Sequence, residues 1–348
     1  MNEKYHNNMN NKLLIIALSV AAIFPSCTSR KPVIENFSGF IQGTTYSVVF
    51  DNRKKLDLVK TKTDVENILH AFDLSLSIYD DSSIISRVNR NEDVTVDSYF
   101  TEVFNKSAII SEMTGGAFDI TVGALTKAWG FGPDNTKSFT EENRDSLLKL
   151  VGMDKVSLVN GHVIKKEPNM YLDANAIAQG YSVDVICRYF DEHGVKNYLI
   201  EIGGEVRAKG TKGDDLWRIG IDRPEDFNMT PGQDLQAIIK ITDKAIATSG
   251  NYRKFYVEDG VKYSHELNPK TGYPAKSTLL SASIIADECG LADGIATACM
   301  VMGTDAAIEF INNHPQFSAY FIFSDENGNF KTWTSEKFQK FISEAADK

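Results

Sequence analysis

The common signatures of nucleotide and hydrolase chemistry are missing from this 348-residue sequence. It holds no GxxxxGK[ST], no GxGxxG and no HExxH, so a P-loop, a dinucleotide fingerprint and a zinc-protease helix have no support. GxSxG is absent too, which leaves no nucleophile elbow. Internal repeats and low-complexity tracts are also lacking. Basic charge is in deficit: 37 Lys and Arg face 47 Asp and Glu, for a net charge of −10. With no Lys/Arg stripe to offset that balance, a nucleic-acid partner is not expected. Beyond the first residues, no apolar run reaches the ~18 residues that a membrane-spanning helix needs.

The N-terminus carries one shorter apolar run, from Leu13 to Phe24, preceded by Lys4 and Lys12. As a helix it spans about 18 Å, short of the roughly 30 Å of a bilayer core, and this fits a secretory signal. Ser26-Cys27 at its end resembles the lipobox of bacterial lipoproteins, although Phe24 and Pro25 depart from that pattern. The expectation is a signal peptide over 1–26, a diacylated Cys27 with a tether to residue 36, and a folded domain over 37–345. Two acyl chains suffice for stable anchoring, which puts the protein in the bacterial cell envelope facing the periplasm. An ordinary cleaved signal with an incidental cysteine is the alternative. The other cysteines, Cys187, Cys289 and Cys299, form neither CxxC nor metal-ligand spacing. Cys187 and Cys299 lie in apolar helical patterns and read as small core residues, while a Cys289–Cys299 bridge stays open.

Composition is otherwise ordinary for a globular protein, with 42 % apolar and 24 % charged residues. Apolar periodicity predicts helices after Thr63 or Asp64, around Tyr99 to Met113, from Thr140, over Ala176–Phe190 and over about 290–302. Strands are predicted at 198–202, 205–209, 216–221, 236–242 and 279–286. Hairpins are predicted across Asn160-Gly161, across Asp259-Gly260 and at the C-terminus. Strands grouped in hairpins, with helices between the groups, predict an α+β fold of mostly antiparallel mixed sheets with packed helices, one catalytic unit of two lobes.

Five stretches rich in Gly, Asp and small residues stand out. In Gly115–Gly123, Asp119 is the single charge; a turn carboxylate is the plain reading and a ligand contact the functional one. In Asp173–Asp184, Asp173 and Asn175 sit at a predicted helix start, where an N-cap or a bound phosphate are both served by free N–H groups. Glu201–Gly210 has a Gly-Gly turn between strands. His265–Pro274 has one histidine ahead of a turn. In Ala292–Gly303, Asp293 and Thr297 lie on one helical face, so that a carboxylate and a hydroxyl can offer two oxygens to a hard cation.

In this order, and with GTTYSV at 43–48 and SIYDDSSIISRVN at 77–89, these stretches resemble the FAD:protein FMN transferase family (ApbE, formerly called thiamine-biosynthesis lipoproteins), over roughly residues 38–335. The resemblance implies an ApbE-like, T-fold-related architecture. The implied activity moves the FMN half of FAD to a Thr hydroxyl of an exported or membrane protein and releases AMP. Implied acceptors are subunits of ion-translocating membrane oxidoreductases bearing a Thr flavinylation motif. It implies a Mg²⁺ site from the Ala176 carbonyl, Asp293 and Thr297. FAD, as substrate, would meet Gln42, Tyr79, Ala117, Phe118, Asp119, Asp173, Gln179 and Leu267, with Tyr79 and Phe118 offering aromatic faces. His265 matches the proposed base. The sequence departs from the family at Gln179, often Lys, at Asn268 and Glu205, often Asp, and at Ala124, often Pro. Two other functions share these residues: an FAD pyrophosphatase with water as acceptor, and a non-enzymatic flavin-binding lipoprotein.

Overall fold

Side chains that alternate between two faces build the central sheet. In β1 (Ile34–Ile41) and β2 (Thr44–Asp51), Phe37, Tyr46, Val48 and Phe50 turn into one core, while Val49 takes the other face and packs partly against a second core. The structure, a computed structural model, describes residues 31–224, 234–251, 255–258, 261–264, 266–275 and 277–345. Cys27, His265 and the Asp259-Gly260 turn therefore lie outside the described residues.

In chain order, the first part has α1 (Leu58–Leu76), α2 (Ile84–Asn89), α3 (Ser98–Met113), α4 (Gly123–Ala128) and α5 (Arg144–Leu148), then the hairpin of β3 (Val156–Val159) and β4 (His162–Lys165). α6 (Asn175–Glu192) leads into β5 (Tyr198–Ile202), β6 (Glu205–Lys209), β7 (Trp217–Asp222), β8 (Leu235–Ile241) and β9 (Lys244–Gly250). The hairpin of β10 (Phe255–Glu258) and β11 (Val261–Ser264) precedes β12 (Leu279–Ala286), α7 (Cys289–Met302) and α8 (Thr304–Asn313). The chain closes with β13 (Ser318–Ser324), β14 (Phe330–Thr334), α9 (Glu336–Gln339) and β15 (Ile342–Ala345).

Eight strands form one antiparallel sheet in the order β1-β2-β5-β6-β9-β12-β13-β14, and β15-β8-β7 form a smaller one. Period two sorts the large sheet's side chains to two cores. Val206, Ala208, Ile246 and Ile285 face the small sheet's Trp217, Ile221, Ile239 and Ile241, with Phe338 beneath. Ala247, Ala282, Ile284 and Ala286 face the helices, against Ile177, Tyr181, Ile295 and Cys299. The layers are therefore small sheet, large sheet, helices, the α+β arrangement that hairpin-rich patterning predicts.

The helices depart from expectation mainly at their ends. α1 starts at Leu58 rather than after Thr63, because Asp57 is the cap and accepts from Lys60 N at 2.8 Å. The predicted helix from Thr140 is only Arg144–Leu148. α2, α4, α8, β1, β2, β9 and β15 are additional elements. α7 is buried on all sides, with Ala292, Ile295, Ala296, Ala298 and Cys299 fully enclosed, which its continuous apolar composition allows. Cys187, Cys289 and Cys299 are free and buried, so the Cys289–Cys299 bridge does not form. Among the described residues, no helix is long and apolar enough to cross a membrane.

Candidate active site

A cleft of about 1260 Å³ opens where α6 and α7 meet turns at one end of the large sheet. Its walls include Gln42, Tyr79, Ala117, Phe118, Asp119, Asp173, Gln179 and Leu267, together with Ala176, Asp293 and Thr297. Thus residues up to 255 positions apart, from Gln42 to Thr297, are brought to one surface, and His265 alone of the predicted internal site residues is not described.

Turn chemistry places the first of these. Gln42-Gly43 joins β1 to β2 with φ of 52° and 70°, a conformation matched to hairpin twist but costly for a glutamine. The glutamine side chain is thereby held at the cleft, where Ser182 Oγ donates to its Oε1 at 3.3 Å. Beside it, the β5–β6 turn is tied to β2 by Gly203 N donating to Thr45 O at 3.1 Å, and Gly203-Gly204, with φ of 66° and 103°, lets it approach Gln179.

Asp119 is 8 % exposed and fully engaged. Its Oδ1 accepts from Thr121 N at 2.7 Å and Thr121 Oγ1 at 2.6 Å, and its Oδ2 from Met153 N at 3.1 Å. Burial pushes its carboxyl above the usual range, and these donors pull it back. Its structural work is to fix the turn through Thr121 and tie it to Met153, while Ala117 and Phe118 just before it donate to Thr114 O and Thr114 Oγ1, each at 3.2 Å. The Phe118 ring is 2 % exposed and packs toward Ile110 and the Gly294 backbone of α7. The aromatic face expected from Phe118 is therefore in the core, whereas Tyr79, 64 % exposed, does offer one.

Asp173 enters the cleft just before α6, and its Oδ1 accepts from Asn175 N at 2.9 Å. The segment is tied down by Asn89, whose amide donates to Leu172 O at 2.9 Å and accepts from Leu172 N at 2.7 Å, as a neighbouring strand would. Both backbone groups are buried and have no water to replace Asn89. Asn89→Ala should cost about 2 kcal/mol in stability and, for the FAD that the resemblance implies as substrate, raise KM more than it lowers kcat; urea melts and steady-state kinetics check this.

Asn268 replaces a common Asp without losing the turn. Its Oδ1 accepts from Lys270 N at 2.9 Å and Thr271 N at 3.2 Å, bonds an amide oxygen makes as well as a carboxylate. That turn presents Leu267 and Pro269 to the cleft.

Asp293 and Thr297 lie one turn apart on α7. Asp293 is 7 % exposed and its Oδ2 accepts from Gly180 N at 3.0 Å. Burial pushes its carboxyl up to about 7, with the Gly180 N–H pulling the other way. Thr297 Oγ1 is 3.3 Å from Ser249 Oγ on β9. No group of three or more His, Cys, Asp or Glu suited to a metal occurs among the described residues. A carboxylate, a hydroxyl and the Ala176 carbonyl at one cleft are instead an oxygen-only set with one protein carboxylate. That fits Mg²⁺, which keeps waters and takes substrate oxygens.

Six acidic side chains line the cleft, Asp73, Asp119, Asp173, Glu205, Glu266 and Asp293, against one lysine, Lys137, among the described residues. Such a wall would repel a pyrophosphate unless a cation stood between them.

One part of the wall escaped sequence reasoning. Trp129, Gly130 and Phe131 lie beside Lys137, whose Nζ sits 5.3 Å from the Trp129 ring centroid. Trp129 donates from Nε1 to Gly272 O at 2.8 Å and stacks on Phe139 at 4.2 Å, which rigidifies this wall. The available signal was AWGFG at 128–132, aromatic residues around glycine, one of them at φ 84°.

The ApbE family model matches residues 42–321. The FAD:protein FMN transferase of Vibrio cholerae is 33 % identical over 94 % of this chain and 98 % of its own length. That of Haemophilus influenzae is 33 % identical over 94 % and 96 %. Among solved structures, the flavin transferase ApbE from Vibrio cholerae superposes with a TM-score of 0.79 at 33 % identity, covering 89 % of this chain and all of the other. The apo flavinyl transferase ApbE of Pseudomonas stutzeri gives a TM-score of 0.81 at 28 % identity, covering 91 % and 99 %.

Proposed function

We propose, from the premise that this chain belongs to the ApbE family of FAD:protein FMN transferases, that it moves FMN from FAD to a Thr hydroxyl of an exported or membrane protein, with Mg²⁺ bound, and releases AMP. The observation that supports this best is the meeting of Asp293, Thr297 and Ala176 with the eight flavin-contact candidates in one cleft. The acceptors fit subunits of ion-translocating membrane oxidoreductases. The cell envelope, through a diacylated Cys27 after a signal over 1–26, is the proposed location, with the domain over 37–345 facing the periplasm.

The chemistry balances simply. The Thr oxygen bonds to the FMN phosphorus, the bond from that phosphorus to the AMP oxygen breaks, and the Thr proton goes to a base. Asp293, Thr297 and the Ala176 carbonyl would hold the cation. When bound, Mg²⁺ offsets the charge of the pyrophosphate oxygens and eases departure of AMP. The chain's own part is mainly positioning. Tyr79 offers an exposed aromatic face to a flavin or adenine ring, and Gln42 and Gln179, joined through Ser182, offer neighbouring amides. His265 is the proposed base, since an imidazole's ordinary pKa suits proton removal near pH 7 and the next two residues, Glu266 and Leu267, line the cleft.

Incubation of the full chain with FAD, Mg²⁺ and a candidate acceptor domain should add one FMN to a Thr, seen by mass spectrometry, with an equal amount of AMP in solution. Release of AMP and free FMN, with no adduct on any acceptor tried, would overturn transfer in favour of hydrolysis.

A further inference from the structure

We propose that Asp184 is a positioning residue that sets the spacing of the metal-binding groups, by locking the start of α7 against α6. This rests on the reading that Ala176, Asp293 and Thr297 hold a divalent cation. Ala176 belongs to α6 and the other two to α7, so the cation's cage exists only if the two helices keep one register. A misplacement of about 1 Å is enough to spoil such a site.

The joint between the helices is built for that register. Gly180 and Gly290 let the backbones nearly touch. A Cβ at Gly180 would stand 2.6 Å from Cys289 O and 2.7 Å from Asp293 Cβ, and one at Gly290 3.0 Å from Tyr181 Cβ. Two carboxylates then cross the joint in opposite directions. Asp293 of α7 accepts from Gly180 N of α6 at 3.0 Å. Asp184 of α6 accepts from the first two N–H groups of α7, Cys289 N at 3.0 Å and Gly290 N at 2.9 Å. Gly180 N–H is also the donor that a regular helix would aim at the Ala176 carbonyl, so the first crossing bond is made one helical turn from the group that would bind the cation.

Asp184 replaces a missing local cap. Glu288, the residue before α7, makes no side-chain cap; its carboxylate pairs with Lys106 instead. A helix start buried without a cap leaves donors unpaired, and the cap here comes from the neighbouring helix. The Asp184 side chain is 5 % exposed and pairs with the Arg207 guanidinium on β6. Burial opposes the charge on Arg207, but Asp184 outweighs it and holds the guanidinium above its usual range. Asp184 does not line the cleft, so it acts through α7 and not on substrate.

The variants are Asp184→Asn, Arg207→Gln, the double variant of both, and Asp293→Ala as the control for the metal reading, all in the full chain. The double variant leaves no buried charge without its partner. Mn²⁺ binding is measured by calorimetry without flavin, and FAD binding by fluorescence in EDTA, each beside a thermal melt. The double variant should melt cooperatively and bind Mn²⁺ about 10- to 100-fold more weakly, while FAD binding in EDTA stays close to the parent's. Arg207→Gln, which keeps the carboxylate on Cys289 and Gly290, should keep near-parental Mn²⁺ affinity. If the double variant does not fold, Gly290→Ala disturbs the same joint and should show the same fall. Parental Mn²⁺ affinity in the double variant, with affinity lost in Asp293→Ala, overturns the positioning role and leaves the metal reading intact. Unchanged Mn²⁺ binding in Asp293→Ala overturns the metal reading, and this proposal with it.

Discussion

Asp293→Asn should lower FMN transfer by about 10³-fold at saturating FAD and Mg²⁺, the equivalent of roughly 4 kcal/mol of barrier. The replacement keeps size, and an amide oxygen can still accept from Gly180 N, which now lies 3.0 Å from Oδ2. What it removes is the one carboxylate of the proposed metal-binding set, in a cleft whose other acidic groups cannot substitute for its place on α7. The metal-free variant should nevertheless be at least as stable as the parent. Asp293 is buried, and a buried carboxylate costs stability that a neutral amide does not. Single-turnover transfer followed by mass spectrometry, with a urea melt of the same samples, tests both halves. Transfer within tenfold of the parent would remove Asp293 from the chemistry.

Phe190→Ala should give the opposite pattern: a loss of about 3–5 kcal/mol in stability with little change in kcat per folded molecule. Phe190 sits near the far end of α6 from Ala176, fully buried, with ring centroids 5.0 Å from Phe50 and 5.8 Å from Tyr198. It anchors α6 to β2 and β5, and no part of it lines the cleft. Together the pair separates two duties. The expected division is stability from the aromatic packing of α6 on the sheet, and the proposed chemistry from its first turns and from α7. A fall in kcat that matches Asp293→Asn, in samples shown to be folded, would contradict that separation. The comparison needs kinetics below the variant's melting range, with folded fraction taken from circular dichroism.

Much of this site was legible in the residues themselves. Alternation and turn pairs such as Asn160-Gly161, with φ of 51° and 80°, depend on local sterics and so can be read from sequence. The same holds for β5, β6 and β12, whose bounds match the pattern, and for Asp293 and Thr297 on one helical face. Helix starts were harder to read. α1 has both Asp57 and Thr63 as plausible caps, and only packing of the first turns decides between them. β9 was hidden because Ala245 and Ala247 carry little strand propensity of their own; they are small because α6 and α7 lie against that face.

Sequence alone determined the α+β class, the family and the set of oxygen-bearing residues, because each depends on side-chain type and near-neighbour spacing. Tertiary structure alone decided what those side chains face. It turned Phe118 into the core and left Tyr79 exposed, made Asp119 a turn carboxylate, added Trp129 and Lys137 to the wall, and set Asp184 across the start of α7. Such pairings join residues far apart in the chain, 113 positions for Gly180 and Asp293. They follow from how closely two helices can approach on a common sheet, a property of the packed whole that no local stretch encodes.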